Sequence, residues 1–411
     1  MMFRSRHGGR RGFLTVASLA AAGLASGCAA PPRLAAVPRE ATGRATALGL
    51  ANERFFYISD AAAIEREFME AGRRQPRRAG LRPGDRLPTS HFLAVSGGGE
   101  NGAFGAGLLN GWSEAGTRPV FDLVTGVSTG ALTAPFAYLG PDYDPQLRGV
   151  YTDITLRDVA ISRGLISGAF ADGLADTRPL FDTISRYLDD AMLAAIAEAY
   201  RQGRLLLVGT TNLDAQTPVV WNIGAIAASG HPGALDLVRK VLLASSAIPG
   251  AFPPVMIDVE VDGEKHQEMH VDGGAFAQAF LYPRALGESR IARRQRGEQV
   301  PEVRAWIIRN ARLDPDWAVV ERRTLGIASR AISTMIFTSG FNDVARLYTR
   351  AGLDGIDFNL AFIGADFNET PPAPFDQAYM RALFAYGRAQ GQAGGGWVKR
   401  PPFGDAPPRA V

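Results

Sequence analysis

The chain has 411 residues, 46% of them hydrophobic and 21% charged, the balance of a soluble globular protein with material for one large or two ordinary domains. No apolar run in its body approaches the roughly 20 residues that a membrane span requires. The formal net charge is +3, but four arginines and no acid lie in residues 1–27; without them it is −1, which removes the main support for nucleic-acid binding.

The N-terminus reads as an address. Arg4, Arg6, Arg10 and Arg11 precede a small-apolar run from Phe13 to Leu24, and Ala25-Ser26-Gly27-Cys28 follows. A basic region, a short apolar core and small residues before a cleavage point make an export signal over residues 1–27. Arg10-Arg11-Gly12-Phe13-Leu14 resembles a twin-arginine signal. Ala25-Ser26-Gly27-Cys28 resembles a bacterial lipobox, with Ala25 where leucine is commoner. Cys28 is the only cysteine, so no internal disulfide can form. It is the expected lipidation site, and two or three acyl chains there would anchor the mature protein. The expected location is a membrane-anchored lipoprotein facing the periplasm or outer membrane.

Beyond the signal, Pro31, Pro32 and Pro38 mark a tether to about Leu48. Residues 51–71 are predicted helical, with Phe55, Phe56, Ile58, Ile64 and Phe68 as apolar positions. A basic cluster (Arg73, Arg74, Arg77, Arg78) and a Pro83-Gly84 turn follow. Phe92–Val95 is a strand, Ser96–Gly102 a glycine-rich turn and Ala103–Glu114 a helix. A strand at Phe121–Thr125 and a helix at Ala131–Leu139 come next. Tyr143–Leu180 is loop-rich with a helical stretch at 156–161, and Phe181–Tyr200 is helical. Strands at Arg204–Leu213 and Pro218–Ile223 precede an amphipathic helix at Leu235–Ser246. Val255–Val261 and His266–Val271 form a hairpin about Asp262-Gly263. A strand at Val303–Ile308, a helix over 318–350, a strand at Ile356–Ile363 and a helix at Phe375–Arg388 complete the chain. Strands alternating with helices predict an α/β sandwich with a mostly parallel sheet.

The chemistry centres on Gly126-Val127-Ser128-Thr129-Gly130, a G-x-S-x-G between a buried strand and a helix. That context describes a nucleophile elbow, in which Gly126 and Gly130 keep a tight turn free of Cβ atoms. Gly97-Gly98-Gly99, 31 residues before Ser128, also joins a strand to a helix. Its N–H groups and helix dipole suit an anion, whether phosphate or oxyanion. It also passes loosely for a dinucleotide fingerprint, but that is the weaker reading, because the second strand ends in Gly-Val-Ser-Thr-Gly and not in an acid. The serine needs a base. No histidine follows His270, so the α/β-hydrolase order of serine, acid and late histidine lacks its last member. Asp272, ending a strand in Val271-Asp272-Gly273-Gly274, stands at the edge where open α/β sheets place their sites. Gly273 and Gly274 let another backbone come close. His270 stays open as an alternative base.

The three glycine motifs, with Thr210–Val220 and Ala244–Val255, resemble the patatin-like phospholipases in order and spacing over about residues 90–365. The resemblance implies a patatin-like three-layer α/β/α sandwich over 89–365, a tether and helical segment at 28–88, and a C-terminal helix and tail at 366–411. It implies a Ser–Asp dyad at Ser128 and Asp272, an oxyanion hole from Gly97, Gly98 and Gly99, and no cofactor or metal. Its implied activity is that of a phospholipase A or lipid esterase on membrane phospholipids or other acyl-ester lipids. Asn101 stands where the family's glycine loop commonly has arginine, a departure that weakens strict phospholipid preference more than ester chemistry. A catalytically silent lipid-binding lipoprotein and a His270-dependent esterase are the competing readings.

Overall fold

The computed structural model describes residues 32–403 apart from 79, 81, 83, 84 and 163–171. The export signal, Cys28 and the Pro83-Gly84 turn lie outside the described residues. In chain order, β1 (Arg54–Phe56) and α1 (Ala61–Arg78) precede β2 (Ser90–Val95) and α2 (Gly102–Glu114). Then come β3 (Leu123–Val127), α3 (Thr129–Leu139) and α4 (Asp144–Thr152). A small separate ladder of β4 (Ile161–Ser162) and β5 (Ala175–Asp176) leads to α5 (Arg178–Tyr187) and α6 (Asp190–Arg201). Strands β6 (Leu205–Asn212) and β7 (Thr217–Asn222) are followed by α7 (Ile223–Ala228) and α8 (Ala234–Ser245). The hairpin β8 (Val255–Val261) and β9 (Glu264–Asp272) precedes α9 (Arg284–Gln295) and β10 (Val303–Arg309). Last are α10 (Thr324–Asp354), β11 (Asp357–Phe362) and α11 (Gln377–Gln392).

One mixed sheet runs β1-β7-β6-β3-β2-β10-β11, with β9 and β8 joined to β6. Its centre, β6-β3-β2-β10-β11, is parallel throughout, and β7 and β1 extend it antiparallel. The central strands are near-continuous apolar runs because both faces are covered. Alternate residues feed two cores: Leu93, Val95, Leu206 and Val208 face one side, Phe92, Ala94, Leu205 and Leu207 the other. α2, α3, α8 and α11 cover the first face, α1 and α10 the second. The result is the expected three-layer α/β/α sandwich.

Three local expectations change. Phe55 and Phe56 belong to strand β1, not to a helix over 51–71. These adjacent phenylalanines enter opposite cores, which a strand's alternation permits and a helix's spacing does not. The helix instead starts at Ala61 and runs to Arg78. The predicted tether is tied down from Arg33 onward. Arg33 pairs with Asp214 at 2.7 Å, Ala41 and Ala45 are buried, and Thr46 bridges to Glu260 of β8. The single helix expected over Phe181–Tyr200 breaks into α5 and α6, because Asp189 caps α6 by accepting the Met192 N–H at 2.8 Å.

The topology creates the site on one edge of β6. β3 lies parallel to β6 and ends with Val127 opposite Gly209; β9 lies antiparallel and ends with Asp272 opposite Thr210. The two strands approach head to head along the same edge and stop at adjacent positions. Ser128, the next residue after β3, therefore meets the last residue of β9.

Candidate active site

Ser128 sits in the turn from β3 to α3 with φ 56° and ψ −128°, a conformation costly for a residue with a side chain. Its N–H donates to Ser245 Oγ at 3.0 Å, and that hydroxyl donates to the Gly209 carbonyl at 2.7 Å, tying the strained turn to β6. Gly130 is required by space: a Cβ there would run into the Val95 carbonyl oxygen, so a side chain would push α3 off β2. Gly126, likewise, lies against the backbone of Gly130 and Ala131.

The Asp272 carboxylate is 5% exposed and Ser128 7%. The meeting strand ends bring Ser128 and Asp272 side by side, and Asp272 Oδ1 accepts the Gly274 N–H at 2.7 Å. Burial pushes the Asp272 carboxyl up to about 7, against the opposing pull of the Gly274 N–H and the Ser128 hydroxyl. Gly273 packs against the Gly209 carbonyl, which brings the Asp-Gly-Gly turn onto β6.

The glycine loop divides its labour. Gly97 donates its N–H to the Gln278 carbonyl at 3.1 Å, which corrects the expectation that all three glycines offer donors to a ligand. Gly97 instead serves closeness: a Cβ there would stand 3.2 Å from Ser128 Cβ and 2.7 Å from Gln278 Oε1. The N–H groups of Gly98 and Gly99 have no acceptor among the described residues, nor does that of Thr129 at the N-terminus of α3. Gly98 passes so close to the Asn310 carbonyl that no Cβ fits. Asn310 also clamps the loop's base: its N–H donates to Ser96 Oγ and its Nδ2 to the Ser96 carbonyl, both at 2.9 Å.

Residues 93–282 match the family model of the patatin-like phospholipases. That stretch is similar to a patatin-like phospholipase domain. The match supports lipid acyl hydrolase activity in general. Among solved structures, VipD from Legionella pneumophila is similar at 11% identity and a TM-score of 0.36, over 75% of this chain and 67% of that one, a likeness too slight to argue from. No curated protein matches the chain. The family match stops at residue 282, short of the reach to about 365 expected from the motifs.

Within the matched stretch His270 is fully engaged elsewhere. Its Nδ1 is 2.9 Å from Thr210 Oγ1 and its Nε2 3.0 Å from Glu268, which in turn pairs with buried Arg54. Burial holds its pKa below the ordinary value despite Glu268. Both ring nitrogens have partners other than Ser128, so the imidazole is a structural member of the β9 core. Among the described residues no group of three or more His, Cys, Asp or Glu side chains could hold a metal ion.

A narrow apolar cavity opens from Ser128, Thr129 and Gly99 between α3, α5 and α8, walled by Leu132, Phe136, Ile184, Leu242 and Phe252. Phe375 and Met380 close it from outside the matched domain. The same C-terminal segment braces the glycine loop. Tyr379 donates its hydroxyl to Asn101 Oδ1 at 2.8 Å, and the Phe375 N–H donates to the Glu100 carboxylate. The sequence offered no signal for this brace, because its halves stand about 275 residues apart. The backbones of α11 and α2 touch where Gly107 and Gly111 face Phe384 and Arg388, and where Gly387 and Gly391 face Phe104 and Leu108.

Proposed function

We propose that the protein is a serine lipid acyl hydrolase, a phospholipase A or lipid esterase, in which Ser128 is the nucleophile and Asp272 the base. The observation that carries this reading is the buried Asp272 carboxylate that β9 delivers beside the elbow serine, at the mouth of an apolar cavity. Asp272 takes the Ser128 proton as Oγ attacks the ester carbonyl. The N–H groups of Gly98 and Gly99 receive the oxyanion, each donor contributing roughly 3 kcal/mol in comparable sites. Asp272 then protonates the departing alcohol, leaving an acyl-serine. Water, deprotonated by the same carboxylate, releases the fatty acid and restores the pair. The cavity takes the acyl chain, which makes ester-linked acyl chains of membrane lipids the substrate class. Cys28 in its lipobox-like context is proposed as the acylated anchor that holds the exported protein at the membrane.

A fluorophosphonate probe tests the reading. Wild-type protein should label, and Ser128→Ala and Asp272→Asn should not. Mass spectrometry of mixed phospholipids and neutral esters after incubation then identifies the released fatty acids. Absence of labelling in folded wild-type protein would favour a silent lipid-binding lipoprotein. Loss of activity in His270→Gln equal to that in Ser128→Ala would restore the histidine-dependent esterase.

A further inference from the structure

The crossover from β10 to β11 is longer than the sheet it spans. α10 has 31 residues, about 46 Å at 1.5 Å per residue. β10 and β11, with 7 and 6 residues, measure about 20–23 Å. Only the C-terminal part of α10 lies against the sheet. Gly340 packs on the guanidinium of Arg309, the last residue of β10, and Val344, Leu347 and Ala351 are buried beyond it. Asp343 accepts the Gln278 N–H at 2.7 Å, fixing this end of the packed segment beside the glycine loop. Since α10 runs back against β10, residues 324–339 project past the C-terminal edge of the sheet, where β3 delivers Ser128.

Most of the projecting part and of the loop before it is exposed, large apolar side chains included, while Arg330 and Phe337 are half-buried. Trp317 is 84% exposed, Val319 81% and Met335 70%, and Ile327, Ile332 and Ile336 are exposed with them. At 100° per residue, Ile327, Ile332, Met335 and Ile336 occupy one half of the helix circumference, with Arg330 and Ser333 on the other. That arc is broader than the narrow seam by which one helix meets another. Across 317–339 the charges are Arg322, Arg323 and Arg330 against Glu321, a net +2, with Arg323 3.5 Å from Glu321 and Arg330 3.5 Å from Asp316 just before the arm. Trp and aliphatic side chains beside arginines are the composition of a segment that lies in a bilayer interface over anionic headgroups. No described helix is long and apolar enough to cross a membrane.

We propose that residues 317–336 form a docking arm that seats the Ser128 edge of the sheet on an anionic phospholipid bilayer. The inference builds on the lipid hydrolase reading by naming the surface on which that site works. The arm adds a contact separate from any acyl anchor at Cys28.

The test uses the full chain carrying Cys28→Ser, which removes acylation, and co-sedimentation with vesicles of phosphatidylcholine and phosphatidylglycerol at 7:3. Binding should fall at least 10-fold in Trp317→Ser/Ile327→Ser/Met335→Ser. Fluorophosphonate labelling and hydrolysis of monomeric p-nitrophenyl butyrate should stay within two-fold, since these exposed side chains lie outside the site. Arg322→Glu/Arg323→Glu should lose most of the preference over pure phosphatidylcholine. Vesicle binding by the triple variant equal to wild type would overturn the proposal, as would a shift from dimer to monomer with vesicle binding unchanged. Binding is measured also in Ser128→Ala, so absence of chemistry in the protein with Ser128 intact sinks the hydrolase reading, and absence of vesicle binding in either sinks the arm.

Discussion

The most exacting consequence of the site is its pH dependence, because an aspartate acting as base must be ionised near neutrality. An ordinary aspartate has a pKa of about 3.9 and would be ionised throughout the physiological range. Burial places that of Asp272 at about 7. On the proposed mechanism the second-order rate of acylation should therefore rise tenfold per pH unit below 7 and level off above it. By the same arithmetic, about 9% of the enzyme is competent at pH 6 and about 91% at pH 8. The assay is the fluorophosphonate labelling rate, or kcat/KM for a neutral short-chain ester, from pH 5 to 9. A rate independent of pH across 5–8, or an inflection near 4, would refute the reasoning.

Stability must move the opposite way. A group whose folded pKa is raised favours the folded state while it is protonated, so its contribution is full below about pH 4 and is lost as pH rises through 7. For a shift of this size the loss is about 4 kcal/mol. Asp272→Asn carries no charge and escapes it. Its stability by urea denaturation, relative to wild type, should improve by up to that amount between pH 4 and pH 8 while catalysis is abolished. A variant with no such gain would show that the carboxylate is better solvated than its burial implies.

Other consequences follow from individual contacts. Tyr379→Phe removes the hydroxyl that holds Asn101, and should lower kcat several-fold with little change in KM and at most about 1.5 kcal/mol of stability; an unchanged kcat would show that the glycine loop needs no brace. Gly111→Ala puts a Cβ against the Arg388 carbonyl and should cost about 1–3 kcal/mol in urea denaturation, unless α11 can shift away at no cost. Phe252→Ala widens the cavity and should shift kcat/KM from short toward long p-nitrophenyl esters by about tenfold or more; an unaltered chain-length profile would place the acyl chain elsewhere.

Much of this arrangement was legible in the sequence because the signals are local. The elbow is a buried strand, a Gly-x-Ser-x-Gly turn and a helix within a few residues, and the hairpin announces itself by Asp262-Gly263, whose φ values of 53° and 83° are those of the tight turn expected. What escaped depends on partners distant in the chain. Phe55 and Phe56 become a strand only because Val220 and Val219 of β7 pair with them, 165 and 163 residues later. Gly97 loses its donor to a carbonyl at 278, and Asn101 gains a hydroxyl from 379. The exposure of one half of α10 was equally hidden, since an apolar arc has the same period whether it faces a core or water.

The head-to-head meeting of β3 and β9 also accounts for why no histidine serves the proposed dyad. Val127 and Asp272 oppose consecutive residues of β6, which brings Ser128 and Asp272 side by side. An imidazole between them would need the strands to end farther apart, and the nearest, His270, points its nitrogens at Thr210 and Glu268. A bare aspartate is a poor base unless its charged form is destabilised, and the same closure that excludes an imidazole also excludes the water that would stabilise that charge. The Gly274 N–H sets the limit, since each further donor to Asp272 would pull its pKa back toward 4. The Asp-Gly-Gly turn thus has two tasks: Gly273 brings the carboxylate onto β6, and Gly274 supplies one backbone donor to its Oδ1.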